Sequence, residues 1–218
     1  TLPDLWAFRG ALTGTPSSAC PDAPETPPRI GFCKSPIWEE GEAGMRTALE
    51  NAATELRAAG AFVGDVELPE SFAGIWDAHA RITSFEAWRG FAWERTHHRD
   101  QLSEPFREGR MKRGAACSDE DYRAAQAVVA ECRRDLEAVF GRYDLLLTPS
   151  APGEAPIGLS NTGSARFNCI WTACGVPCLT LPCGNGPNRM PLGVQLVARF
   201  GGDANLVAHA RWVERALR

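Results

Sequence analysis

A strand, a helix and a second strand follow one another with short connections near the start of the chain, and this series constrains the fold most. Arg29–Cys33 is a short apolar run, residues 42–59 repeat apolar side chains at helical spacing, and residues 61–68 are apolar again before Pro69. A βαβ unit of this kind places its strands parallel by default, with a right-handed crossover. The chain should therefore fold around a sheet that contains parallel strands.

The rest of the chain continues this α/β pattern. Further strands are predicted at residues 143–148, 178–182 and 192–198, and further helices at residues 2–13, 72–99, 104–113, 118–140, 166–174 and 206–217. Because several strands are continuously apolar, the sheet should be buried on both faces. The helices between residues 72 and 140 interrupt the strand pattern, so they should cover the sheet or form a cap.

Capping and turn residues fix several of these boundaries. Thr1 precedes a helix with Pro3 in its first turn, and Ser118 precedes a helix with an acidic first turn, which predicts two N-caps. Gly14 and Gly175 stand where a helix should stop. Gly193, inside a strand pattern, predicts a bulge or a close backbone approach.

Composition excludes several classes of protein. The 218 residues are 44% hydrophobic and 23% charged, with a formal charge of −4 and no long run of one sign. This favours one sizeable domain or two small ones, and gives no sign of a nucleic-acid or membrane surface. No signal peptide opens the chain, and the eight cysteines should be reduced, mostly buried thiols. We therefore expect a cytoplasmic protein.

Three stretches of the last third carry a family resemblance. They read YDLLLTPSAPGEAP from Tyr143, ARFNCIWTACGVPCLTLPCG from Ala165, and MPLGVQLVARFGGDANLVAHARWVERAL from Met190. Together they resemble the C-terminal region of the amidase signature family. The resemblance implies an α/β fold that is part of that family's mixed β-sheet, flanked by helices on both faces.

The resemblance extends toward the start of the chain. Residues 29–69 resemble the family's βαβ unit, Phe85-Glu86-Ala87 and residues 114–122 match two of its helical motifs, and residues 1–14 look like a helix of full-length members. Residues 1–218 are thus interpreted as the C-terminal portion of an amidase domain. Within it, residues 15–28 are predicted to be a mobile linker, 70–142 a helical cap or covering helices, and 143–218 the C-terminal sheet region.

The family's chemistry is expected to lie outside this chain. The resemblance implies a serine nucleophile, a bridging serine, a lysine and a Gly/Ser-rich loop that supplies oxyanion donors. Ser17-Ser18 stands in a Pro-rich linker instead, and Lys34 and Lys112 match no catalytic position. We therefore assign no catalytic residue, no metal and no cofactor here. The chain alone should be inactive, with the catalytic half N-terminal to it.

Five residues are candidate substrate contacts by resemblance. Phe167, Asn168, Trp171 and Thr172 occupy the helix that lies near the substrate in the family. Arg110 stands where the A subunit of the tRNA-dependent amidotransferase has an arginine for glutamine, but Ala165 replaces the aspartate that accompanies it. Packing is the alternative for the aromatic pair at i and i+4, and solvation is the alternative for the arginine.

The leading hypothesis is part of an enzyme that hydrolyses a linear carboxamide to a carboxylate and ammonia or amine. Its partners would be the small-molecule amide, the missing N-terminal half and, through exposed sheet edges, a second copy of the chain. The alternatives are a non-catalytic scaffold or partner-binding subunit, the A subunit of a tRNA-dependent amidotransferase, and a small-molecule-binding α/β domain.

Overall fold

The computed structural model describes residues 1–15 and 19–218, so Ser17-Ser18, with part of the linker predicted at 15–28, lies outside the described residues. The chain forms two compact units. Thr1–Leu68 and Leu136–Arg218 make the first, which we call the sheet unit. Pro69–Asp135 makes the second, which we call the helical unit.

The sheet unit contains a mixed sheet of five strands in the order β2-β1-β3-β5-β4, counted over the described residues. The strands are β1 Arg29–Cys33, β2 Phe62–Val66, β3 Leu145–Pro149, β4 Cys178–Asn185 and β5 Pro191–Val197. β1 pairs in parallel with both β2 and β3, which confirms the parallel arrangement predicted from the βαβ series. β5 is antiparallel to its two neighbours, β3 and β4.

The described residues also contain eight α-helices. They are α1 Leu2–Thr13, α2 Ala43–Ala58, α3 Ile75–Gly90, α4 Ala92–His97, α5 Lys112–Ala116, α6 Asp119–Phe140, α7 Arg166–Cys174 and α8 Asp203–Ala216. α1, α2 and α8 contribute to the core on one face of the sheet. Leu49, Leu56 and Val213 are fully buried there against Ile30 and Leu147. Burial of each such side chain contributes about 1.5–3 kcal/mol.

The opposite face of the sheet is also buried, as the apolar strands predicted. Gly31 and Gly64 lie side by side on it in β1 and β2, below the ring of Tyr143. A Cβ atom at Gly31 would lie 2.7 Å from side-chain carbons of both Leu146 and Val66. The two glycines therefore make room for a tyrosine ring.

The helical unit departs from the prediction in two places. The helical stretch predicted for residues 72–99 is present but interrupted: α3 ends at Gly90, and Phe91 has non-helical dihedral angles of −96° and 28° before α4 begins. Glycine is a poor helix former, which favours a break at this point. The helix predicted for residues 104–113 is instead a π-helical segment, Phe106–Met111, followed by α5.

Two of the matched motifs meet inside the helical unit. Tyr122 stacks on Phe85 with ring centroids 4.0 Å apart, and its hydroxyl donates to Glu86 Oε1 at 2.9 Å. A Cβ atom at Gly114 would overlap the carbonyl oxygen of Ser84. α5 thus approaches α3 through its glycine, and the motifs at 85–87 and 114–122 form one packing contact.

The predicted caps are present. Thr1 forms a capping box with Asp4, and the Ser118 hydroxyl accepts a hydrogen bond from the backbone N–H of Asp121 at 3.0 Å. Gly14 and Gly175 each end a helix in the left-handed conformation, with φ of 65°.

One strand end differs from its prediction. β4 does not stop at Pro182 but continues to Asn185 through a bulge at Cys183. At Gly193, which pairs with Pro182, the backbones of β4 and β5 approach each other closely. A Cβ atom at Gly193 would lie 3.2 Å from the carbonyl oxygen of Leu181. Of the alternatives predicted for this glycine, the structure has the close approach, and the bulge lies in the neighbouring strand.

Candidate active-site wall

Several loops leave the sheet at the carboxyl ends of its parallel strands, which we call the loop edge of the sheet. β1, β2 and β3 are parallel and end there, β4 also ends there, and β5 begins there. Residues 34–42, 150–165 and 186–190 form the connections at this edge. In open α/β sheets, ligands bind beyond the carboxyl ends of the strands.

Hydrogen bonds hold these loops together. The N–H of Glu42 donates to the carbonyl oxygen of Pro152 at 2.7 Å. The Glu154 carboxylate accepts from the side-chain amide of Asn188 at 2.7 Å and from the N–H of Met190 at 2.9 Å. Burial alone would raise the pKa of Glu154, but these hydrogen bonds outweigh it and lower the pKa. The loop after β3 is thereby fixed to the β4–β5 connection by an ionised side chain.

α7 begins at this edge of the sheet. Arg166, its first residue, forms an ion pair with Glu40 at 3.1 Å, and the ring of Phe167 lies beside Gly41. The ion pair is half exposed and adds little stability, so it orients the helix more than it stabilises it.

The four candidate residues on α7 divide by exposure. Phe167 and Trp171 are each 1% exposed, so both side chains are packed in the interior. Asn168 is half-buried and Thr172 is exposed, which leaves these two accessible to a ligand. A role for any of the four in lining a substrate pocket stays a prediction.

A cavity of about 460 Å³ lies at the ends of β1 and β2, and Ser35 lines it. Ser35 has a φ of 69°, an unusual conformation for a residue with a side chain, and its buried hydroxyl has no hydrogen-bond partner among the described residues. Strained residues of this kind concentrate at functional sites. Sequence reasoning did not single out Ser35, which follows the buried strand β1 by two residues.

Other buried polar atoms of the sheet unit also lack a partner within the described ranges. They are Thr148 Oγ1, Trp171 Nε1 and Gln195 Nε2. Thr148 and Gln195 are opposite each other in β3 and β5, on one face of the sheet. An unsatisfied buried polar group costs about 1–3 kcal/mol, so such groups need an explanation.

The lysines and thiols do not assemble an evident nucleophile. Lys34 lies 3.6 Å from Glu50, and Lys112 lies 3.7 Å from Glu108. Burial raises the pKa of the Cys33 thiol to about 11, so it is protonated at neutral pH. The eight cysteines, all within the described ranges, form no disulfide, but only three are fully buried, which corrects the prediction that most would be. Residues 1–15 and 19–218 contain no cluster of three or more side chains suited to a metal ion.

Arg110 belongs to the helical unit, whereas the four candidates on α7 belong to the sheet unit. Its side chain is exposed and has no acidic partner within 4 Å in the described part of the chain. Burial, and then the charge of Arg110, lower the pKa of His79. No sequence motif indicated this effect on His79. A role for Arg110 in binding substrate stays a prediction.

The described helices include none that is long and apolar enough to cross a membrane.

A family model described as Amidase matches residues 18–207. The A subunit of glutamyl-tRNA(Gln) amidotransferase from Chloroflexus aurantiacus is 31% identical over 211 residues, covering 82% of this chain and 42% of that protein. 2-Amino-5-chloromuconic acid deaminase of Comamonas testosteroni is 27% identical, covering 85% of this chain and 42% of that protein.

Solved structures agree on the fold. A crystal structure of an amidase matches all of this chain and 51% of its own, with a TM-score of 0.86 and 26% identity. The 6-aminohexanoate cyclic dimer hydrolase matches with a TM-score of 0.76 and 21% identity, a likeness of fold alone. The chain spans less than half the length of the curated relatives above. Because the family model covers most of it, the chain belongs to the amidase signature family.

Proposed function

We propose that this chain is the C-terminal part of an amidase that hydrolyses a linear carboxamide to a carboxylate and ammonia or amine. The observation that carries the proposal is the extent of the match: a crystal structure of an amidase covers 100% of this chain with only 51% of its own. The chain would contribute one wall of the substrate pocket, and the catalytic serine and lysine would belong to polypeptide outside it.

The geometry of the sheet edge supports a wall of this kind. The side chains of Asn168 and Thr172 are accessible on a helix whose Phe167 and Trp171 are fixed by packing. Residues held by a packed helix position a substrate more precisely than loop residues do, which is what a near-attack geometry requires.

An ammonia-release assay tests this function. The purified 218-residue chain should release no ammonia from a panel of linear carboxamides. The product of the complete reading frame should hydrolyse at least one of them, and Thr172→Val in that product should raise KM. Thr54→Val is the matched control, because Thr54 is also an exposed helical threonine. Ammonia release by the chain alone would refute the assignment of chemistry to the missing half.

The A subunit of a tRNA-dependent amidotransferase is the second candidate. The 31% identity to a protein of that name favours it, and so does Arg110. Ala165, where the resemblance expects an aspartate, favours a general amidase instead. The complete protein should therefore hydrolyse simple carboxamides in preference to glutamine, and the reverse preference would support the amidotransferase.

We also infer a cytoplasmic location. Separately, we infer that partners cover the exposed apolar surface of the sheet unit. Leu5, Phe8 and Leu12 follow one face of α1 and are 49%, 63% and 73% exposed. Phe62 is 62% exposed in β2, an edge strand of the described sheet. The missing half or a second copy would cover such surface. Light scattering of the isolated chain should show a dimer or larger species, and a clean monomer at high concentration would count against this.

A further inference from the structure

The helical unit contains a cavity of about 400 Å³ with an apolar floor and a cationic rim. Trp88, Leu102 and Met111 contribute the apolar surface, and Met111 is only 4% exposed. Arg95, Arg99, Arg107 and Lys112 contribute positive charge. The volume falls within the range of small-molecule sites, roughly 300–1,000 Å³.

The charges around this cavity are unbalanced. Its one acidic lining residue is Glu108, which lies 3.7 Å from Lys112. Arg95, Arg99 and Arg107 have no carboxylate within 4 Å among the residues described. Three arginines without counter-charges therefore surround one small volume.

Two of these arginines have an unsatisfied donor in the protein interior. The Nε atoms of Arg95 and Arg107 are buried and have no hydrogen-bond partner within the described ranges. The guanidinium of Arg95 also lies over the Trp88 ring, 3.6 Å from its centroid, which restricts its position. These two Nε atoms are covered by protein, but both side chains are only half-buried, so their terminal nitrogen atoms remain as the donors available to a ligand. An anion suits these donors, because hydrogen bonds to charged groups are the strongest that a guanidinium makes.

We propose that this cavity binds a small organic carboxylate with a flat apolar body. The carboxylate accepts hydrogen bonds from the guanidinium groups of Arg107 and Arg99, and the apolar body lies against Leu102 and Met111. A carboxylate suits the planar donor array of arginine. The apolar floor favours an organic acid over a free inorganic anion, which would leave that surface without contacts.

Calorimetry with the complete 218-residue chain tests the proposal, with 2-naphthoate as probe and 2-naphthalenemethanol as its neutral analogue. Naphthoate should bind at least about tenfold more tightly than the alcohol. Arg107→Gln should weaken naphthoate binding about tenfold and leave binding of the alcohol unchanged. Arg123→Gln is the matched control, because Arg123 is an exposed arginine of the same unit that does not line the cavity. It should change the affinity less than about twofold, as expected for a distant, screened charge.

Three results would overturn the proposal. The first is equal affinity for naphthoate and the alcohol, or no binding of naphthoate at millimolar concentration. The second is an equal loss of affinity in Arg107→Gln and Arg123→Gln, which would indicate a general charge effect. The third is competition by inorganic phosphate at the same concentration as naphthoate, which would assign the arginines to a phosphate ligand. Circular dichroism of each variant checks that the fold is retained.

Discussion

The two units of the chain differ in how their arginine side chains are paired with carboxylates. In the sheet unit, arginines are commonly paired with carboxylates, as Arg29 is with Asp144 and Arg199 with Glu137. In the helical unit, Arg81 and Arg89 are paired with Asp121 and Asp119, but Arg107 and Arg110 have no acidic partner within 4 Å among the described residues. The clearest difference between the units is therefore this group of unpaired arginines, which includes those around the cavity of the helical unit.

One closely packed glycine of each unit shows a second difference. Gly31 in the sheet unit faces side chains, whereas Gly114 in the helical unit faces a backbone carbonyl oxygen. Side chains can move to accept a new methyl group, and backbone cannot move without displacing a helix. Gly114 should therefore be more sensitive than Gly31 to a single added carbon.

The largest effect should come from Gly114→Ala. The new Cβ would overlap the carbonyl oxygen of Ser84 and lie 2.7 Å from Trp88 Cβ, which forces α5 away from α3. We expect a loss of about 3 kcal/mol in the free energy of unfolding, measured by urea denaturation. Gly90→Ala is the matched control, since a Cβ atom at that position would have no described neighbour within 4 Å. If both variants were equally stable, the backbone contact would not limit this packing.

A smaller loss is expected for Gly31→Ala in the sheet unit. Its Cβ would meet the terminal methyl groups of Leu146 and Val66 at 2.7 Å, and these can shift in part. We expect about 1–2 kcal/mol, measured in the same urea titrations. Val66→Ala removes one of the two methyl groups, so the double variant should lose less than the sum of the two single variants. Strict additivity would show that the side-chain clash is not the cause.

The sheet could be predicted from sequence because its signals are local. The apolar runs at Arg29–Cys33 and around Leu146 identify strands whichever elements they meet. The apolar period did not indicate the break at Phe91, for which Gly90 was the only local signal, or the π-helical segment Phe106–Met111. The helical spacing of apolar residues continues through both segments, and this spacing does not indicate where the pattern of backbone hydrogen bonds changes.

For the candidate site, the family resemblance predicted which residues share a helix but not how exposed each side chain is. It placed Phe167, Asn168, Trp171 and Thr172 on one helix, where the structure has them. The burial of Phe167 and Trp171 agrees with the packing interpretation of their i, i+4 spacing. The exposure of Thr172 was not predicted, since the neighbours of a helix decide which of its faces is interior. Ser35 was missed because backbone strain is not encoded in residue type.

A weaker effect, in the sheet unit, concerns Glu154. Its pKa is lowered in the folded protein, so its contribution to stability is present above the unfolded-state pKa and is lost as the pH falls through the folded pKa. Glu154→Gln removes the charge but keeps one acceptor for Met190. Amide hydrogen exchange at Met190 and Asn188 should therefore become faster in the variant at neutral pH, as in the native protein under acidic conditions. Glu50→Gln is the control, because Glu50 is an exposed glutamate of α2, and it should leave these amides unchanged.

The smallest effect tests whether the charge of Arg110 in the helical unit is indeed uncompensated. Burial and then Arg110 lower the pKa of His79, so the folded protein binds fewer protons than the unfolded chain between that pKa and the ordinary value of 6.5. Stability must therefore fall as the pH falls through this window. Arg110→Gln should raise the pKa of His79 in an NMR titration and reduce the loss of stability, whereas Arg113→Gln should do neither. An unchanged His79 in the first variant would mean that other groups already balance the arginine, and the contrast with the paired arginines of the sheet unit would not extend to this position.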